Sequence, residues 1–133
     1  MRAALESSSG SEIKHTGDGI MASFTTASAA LECAIAIQRA FAQHNESAQE
    51  AVLVRIGLNA GEPIAEEEDL FGTAVIMAAR IAAHGAGGQI LASNVIRELV
   101  AGKEFLFSDR GETALRGFED PARLYEVRWR EDG

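Results

Sequence analysis

The stretch IKHTGDGIMASF, Ile13 to Phe24, places apolar and polar residues in two short runs around Asp18-Gly19. Over residues 12 to 24 that pattern predicts two strands joined by a tight turn. The period then changes. In TASAALECAIAIQRAFAQHN, Ala30, Ala34, Ile37 and Phe41 recur at helical spacing behind hydroxyl residues suited to an N-cap, which predicts an amphipathic helix from Thr26 to about Asn45. In AVLVRIGLNAGEP, Val52, Val54, Ile56 and Leu58 alternate with Leu53, Arg55, Gly57 and Asn59, so a strand follows whose first set makes the better buried face. Gly61 and Pro63 end it, and EEEDL reads as a loop.

Phe71 to His84 returns to the helical period through Val75, Ala78, Ala79 and Ala82, and HGAGGQ stops that helix with glycine. QILAS is a short strand, Ser93 or Asn94 is placed to cap the helix VIRELVAG, and three strand-like pieces follow near residues 105–107, 114–115 and 123–129. At the front, MRAALE is short and helix-prone and SSSGS breaks it, as if the chain began at the tail of a helix. Helices and strands mix without strict alternation, which points to an α+β fold with helices on one face of a sheet.

With 133 residues, 47% hydrophobic and 24% charged, the chain has the composition of one soluble globular domain, expected to span residues 1–133. Twelve basic against twenty acidic residues give a net charge of −8, which excludes general attraction to nucleic acid or anionic lipid. The single Cys33 cannot close an intramolecular disulfide and reads as a buried thiol. No apolar run reaches membrane-spanning length and no signal peptide is recognisable, so a cytoplasmic location is the expectation.

The three histidines, 15, 44 and 84, are scattered without a zinc-binding pattern. GAGGQ lacks the spacing and the Lys-Ser/Thr ending of a phosphate loop, and it precedes a strand rather than a helix. The residues alone leave Asp18 as either a turn former or a metal ligand, and leave Lys14 and Arg80 as surface charges.

Five segments change that reading. EIKHTGDGIMASF, VRIGLNAGEPI, DLFGTAVIMAARIA, GGQILAS and LRGFEDPARLYEV resemble, in order and spacing, the class III adenylate/guanylate cyclase catalytic domain. The resemblance implies a ferredoxin-like, antiparallel-rich sheet in a domain that pairs head to tail, as a homodimer or with another cyclase domain, with sites built from both chains. It further implies attack of a ribose 3′-hydroxyl on the α-phosphorus, giving a cyclic nucleotide and pyrophosphate, by a two-metal mechanism with Mg2+ or Mn2+.

Residue by residue, Asp18 matches a metal-binding aspartate, Lys14 the purine-reading lysine, Asp69 its acidic companion, and Arg80 the arginine that stabilises charge on the transferring phosphoryl group. A donor and an acceptor together suit the ring nitrogen and amine of adenine, so ATP is the expected substrate. Two departures stand beside the match. Ile76 occupies the place, four residues before Arg80, where the family has a ribose-binding asparagine. The family's first strand, with the other metal-binding aspartate, has no counterpart ahead of MRAALE in these 133 residues, so a cyclase sheet with its first strand missing is the expectation. That strand would lie between the strand near residues 20–24 and the one near 52–58, so their edges should pair directly, exchange with another copy, or accept a separate segment. The resemblance thus allows an adenylate cyclase, an inactive cyclase-homology module for dimerisation or nucleotide binding, or a donor of half a site.

Overall fold

The computed structural model describes residues 11–16, 19–24, 26–47, 53–60 and 73–129, and the chain divides into two units at Ala51 and Val52. In the first unit, β1 (Ser11–Thr16) and β2 (Gly19–Ser23) form an antiparallel two-stranded sheet. Its register runs from Ser11 opposite Ser23 to Thr16 opposite Gly19, with an irregularity between Glu12 and Lys14. The expected hairpin is therefore present. Gly17 and Asp18 lie outside the described residues, as do the expected helical tail at MRAALE and the EEEDL loop.

Helix α1 (Ala27–Ser47) completes the described part of this unit. Its start is fixed as the sequence suggests: the Ala29 amide donates to Thr26 Oγ1 at 3.0 Å, so a threonine at the N-cap satisfies an amide that the first turn would leave unpaired. Ala30, Leu31, Cys33, Ala34, Ile37 and Gln38 form its buried stripe, whereas Phe41 is only partly covered. The Cys33 thiol is buried, as expected. Thr26→Ala is expected to cost about 1 kcal/mol, the usual worth of such a cap, read as a lower urea midpoint with an unchanged m value.

The second unit carries β3 (Ile56–Leu58), α2 (Thr73–Ala83), β4 (Ile90–Ser93), α3 (Asn94–Leu99), β5 (Phe107–Thr113) and β6 (Ala122–Val127). Its sheet has the order β3-β4-β6-β5, with β3 and β4 parallel and the other two pairs antiparallel. Within this sheet β3 pairs with β4. A parallel β3–β4 pair needs a crossover, and α2 supplies it.

All four residues of β4 are buried, as an interior strand of a sheet requires. Ile81 of α2, Leu91 of β4, Leu124 of β6 and Leu115 make one cluster, with Met77, Phe118 and Ala122 packed against it. Leu115 enters this core from outside any strand. Three strand-like pieces were expected in this half, and the structure has two strands: β5 starts at Phe107 and Ala114–Leu115 fall beyond its end. The reason is that β5, FSDRGET, holds its place by polar means that apolar periodicity cannot reveal. Asp109 accepts from Arg123 at 2.6 Å, Arg110 pairs with Glu126 at 3.0 Å, and Gly111, at φ 79°, sits in the irregular stretch between Asp109 and Glu112. Charges and a bulge on an edge strand also discourage pairing with foreign strands.

α2 ends where the glycines predict. The amides of His84 and Gly85 bond the carbonyls of Ile81 and Ala82, and Gly88 turns the chain at φ 87° into β4. The Trp129 indole donates to the Gly88 carbonyl at 2.9 Å, which ties the residues just after β6 to this turn. Ser93 stands at the N-cap of α3 but caps nothing with its side chain. Its hydroxyl instead donates to Asn59 Oδ1 at 2.7 Å, joining the C-terminal ends of β3 and β4.

Candidate active site

Arg80 is the expected site residue whose side chain the structure describes, and its setting follows from how α2 is seated. At about 100° per residue, Met77, Ala78, Ile81 and Ala82 fall on one side of the helix. Ile81 and Met77 meet the Leu91–Leu115–Leu124 cluster, and Ala78 and Ala82 lie against Gly57 of β3. Arg80 therefore leaves the helix from its flank, beside the contact face rather than inside it. Its guanidinium Nε is buried and has no hydrogen-bond partner among the described residues. A buried donor left unpaired by the protein costs on the order of 1–3 kcal/mol, so such a group is seldom kept without a use.

Ile76, one turn before Arg80, is 46% exposed. Its position nearly opposite the seated side of α2 explains that exposure. An apolar side chain there gives neither a donor nor an acceptor to a ligand.

Lys14 lies on β1 opposite Met21, in the irregular part of the hairpin, and belongs to the first unit, whereas Arg80 belongs to the second. Asp18 and Asp69 lie outside the described residues. Beside Asp18, Thr16 and Gly19 close the hairpin ladder on either side of Gly17-Asp18. Among the described residues no group of three or more His, Cys, Asp or Glu side chains could hold a metal ion. A carboxylate at residue 18 has the hard oxygen chemistry that Mg2+ and Mn2+ prefer.

Gly57 carries a role the hydrophobic pattern did not assign. The alternation put it on the poorer face of its strand, yet this is the face against which the backbone of α2 lies, at Ala78 and Ala82. The signal was a glycine interrupting a strand, a common mark of close backbone contact. No helix among the described residues is long and apolar enough to cross a membrane.

Comparison with known proteins agrees with the five sequence segments. The profile of the adenylate and guanylate cyclase catalytic domain matches residues 1–128. A putative adenylate cyclase 3 of Rhizobium meliloti is 38% identical over 119 residues, covering 87% of this chain and 20% of the relative, so this chain spans about a fifth of that protein. The solved structure of an adenylate/guanylate cyclase/hydrolase from Silicibacter pomeroyi superposes with a TM-score of 0.87 at 35% identity, covering 95% of this chain and 75% of that one. The guanylyl cyclase Cya2 shares the fold at a TM-score of 0.81 and 24% identity, covering 95% of this chain and 73% of its own. A mixed sheet with β3 and β4 joined through α2, and a profile match over nearly every residue, lead to one conclusion: this chain belongs to the class III adenylate and guanylate cyclase catalytic domain family.

Proposed function

We propose that the chain is an adenylate cyclase domain that works as a dimer and forms cyclic AMP and pyrophosphate from ATP. The observation that carries this reading is Arg80, a cation on a firmly seated helix whose buried Nε has no partner among the described residues. An α-phosphate oxygen gaining charge as the ribose 3′-oxygen attacks would accept from that donor. In the reaction the 3′-oxygen forms a bond to the α-phosphorus, the bond to the bridging oxygen of the β-phosphate breaks, and pyrophosphate leaves while the hydroxyl proton is lost. Lys14 and Asp69 supply a donor and an acceptor to the adenine edge, and guanine would offer both of them the wrong partners.

Asp18 would hold Mg2+ or Mn2+, a role supported by the family match and by the hairpin that closes around its position. When bound, such a cation lowers the pKa of the attacking hydroxyl and offsets phosphate charge. The relative from Rhizobium meliloti is named as an adenylate cyclase, which agrees with the choice of purine. Incubation of the pure chain with Mn-ATP and, separately, Mn-GTP tests the proposal. Cyclic AMP is expected in at least tenfold excess over cyclic GMP. Absence of both products at high enzyme concentration overturns it.

A second reading, a cyclase-homology module that binds nucleotide without turnover, is favoured by the exposed Ile76. The substitution Ile76→Asn separates the two. Exposure of the site makes the change cheap for the fold, and a restored ribose partner in a working site is expected to raise kcat by about 10- to 10²-fold, since a lost positioned donor costs about 10²–10³. An unchanged zero rate, with ATP still bound, would favour the module.

A further inference from the structure

We infer that Gly57 is a positioning residue for Arg80: its missing side chain lets the β3 backbone seat α2 at the height and rotation that place the guanidinium. The inference deepens the cyclase reading and rests on it for the effect on rate, though not for the geometry. A Cβ built at Gly57 would lie 2.5 Å from the amide nitrogen of Ala82 and 2.9 Å from its Cα, and closer still to the carbonyl oxygen of Ala78. All three atoms are helix backbone, so no rotamer change relieves the clash. To reach ordinary contact, α2 must withdraw from β3 by about 1 Å or turn about its axis.

Arg80 lies in sequence between Ala78 and Ala82, in the same turn of α2 that meets the glycine. Movement of that turn moves the guanidinium with it, and the second anchor, Ile81 in the Leu91–Leu115–Leu124 cluster, prevents the helix from sliding freely to compensate. Gly57 sits opposite Leu91 in the β3–β4 register, so both anchors act on one side of α2 and fix its distance and roll together. A shift near 1 Å at a group that stabilises charge can cost about 10² in rate.

The test uses the full chain and the variants Gly57→Ala, Arg80→Ala and the two combined. Gly57→Ala is expected to lower kcat for Mn-ATP by about 10²-fold with KM within about twofold. In the Arg80→Ala background the same change should cost less than about threefold, because the group it acts through is gone. Val127→Ala, at a buried β6 residue on the far side of β4 from β3, is the stability control and should leave kcat unchanged.

A second readout needs no activity. The Nε–H resonance of Arg80, assigned by its loss in Arg80→Lys, should shift in Gly57→Ala. That of Arg97, whose guanidinium lies 5.1 Å from the Tyr125 ring centroid, should not. A moved Arg80 resonance with an intact rate upholds the seat and overturns the catalytic role of Arg80. An unmoved resonance in folded Gly57→Ala, or an equal rate loss in both backgrounds, overturns the positioning role. Should Gly57→Ala fail to fold, Ala82→Gly leaves every atom of the contact in place but frees the helix backbone that meets Gly57, through the wider conformational range of glycine. It must show the same non-additivity with Arg80→Ala, and full additivity refutes the inference.

Discussion

Replacing Asp18 with asparagine is expected to lower cyclic AMP formation by about 10³-fold while leaving the chain folded. Asparagine is nearly isosteric with aspartate and equally suited to a tight turn, so the ladder that runs to Thr16 opposite Gly19 has no reason to open. What changes is one negative charge at the place proposed for the cation. Metal assistance to phosphoryl transfer is worth several kcal/mol, and each 1.36 kcal/mol is tenfold in rate, which gives the expected loss of about 10³. Bound Mn2+, counted by electron paramagnetic resonance at fixed free Mn2+, should fall in parallel, with an unchanged urea midpoint. Wild-type turnover and wild-type Mn2+ binding in Asp18→Asn would remove the metal from this residue. Lost turnover with retained Mn2+ would give the carboxylate a different task.

Much of the second unit could be read from the sequence because its elements carry their own punctuation. The α2 period ran into HGAGGQ, and the helix ends at Ala83 with Gly88 in the left-handed region, where a glycine was needed. Thr26 announced the start of α1 by its hydroxyl, and the structure uses that hydroxyl. Ser93 carried the same signal and misled, because a hydroxyl at an N-cap can also serve a neighbour across the sheet. Asn59, thirty-four residues earlier, is that neighbour, and local sequence does not show such a pairing.

The ends of β5 were missed for a related reason. Its partners, Arg123 for Asp109 and Glu126 for Arg110, are fixed by register with β6 rather than by hydrophobic period. Exposed pairs of this kind add little stability, so they position a strand without advertising it as part of the core. The site was legible in another way. Lys14, Asp18, Asp69 and Arg80 are ordinary charges by any physical reading of their surroundings in sequence, and only the order and spacing of five segments set them apart. Gly57 was visible as an interruption in a strand, but what it interrupts for became clear only with α2 laid against it.

Arg80→Ala separates stability from catalysis more sharply than any other change in the described part of the chain. Stability first: α2 is held by Ile81 in the hydrophobic cluster and by its contact at Gly57, and Arg80 belongs to neither anchor. Its buried Nε has no partner among the described residues, so truncation removes an unsatisfied donor. Alanine is also the strongest helix former, and the urea midpoint is therefore expected to stay level or rise slightly. Catalysis should move the other way. A positioned donor aimed at developing charge is worth about 10²–10³ in kcat, and the interaction grows as the transition state forms, so KM should change far less than kcat. Arg80→Lys keeps the charge but loses the planar fork and its directed Nε–H, and should recover only part of the rate. On the proposed reading, in which the unpaired donor is kept for the reaction, rate must fall when it is removed. A folded Arg80→Ala chain with an undiminished kcat would show that the buried donor serves no reaction.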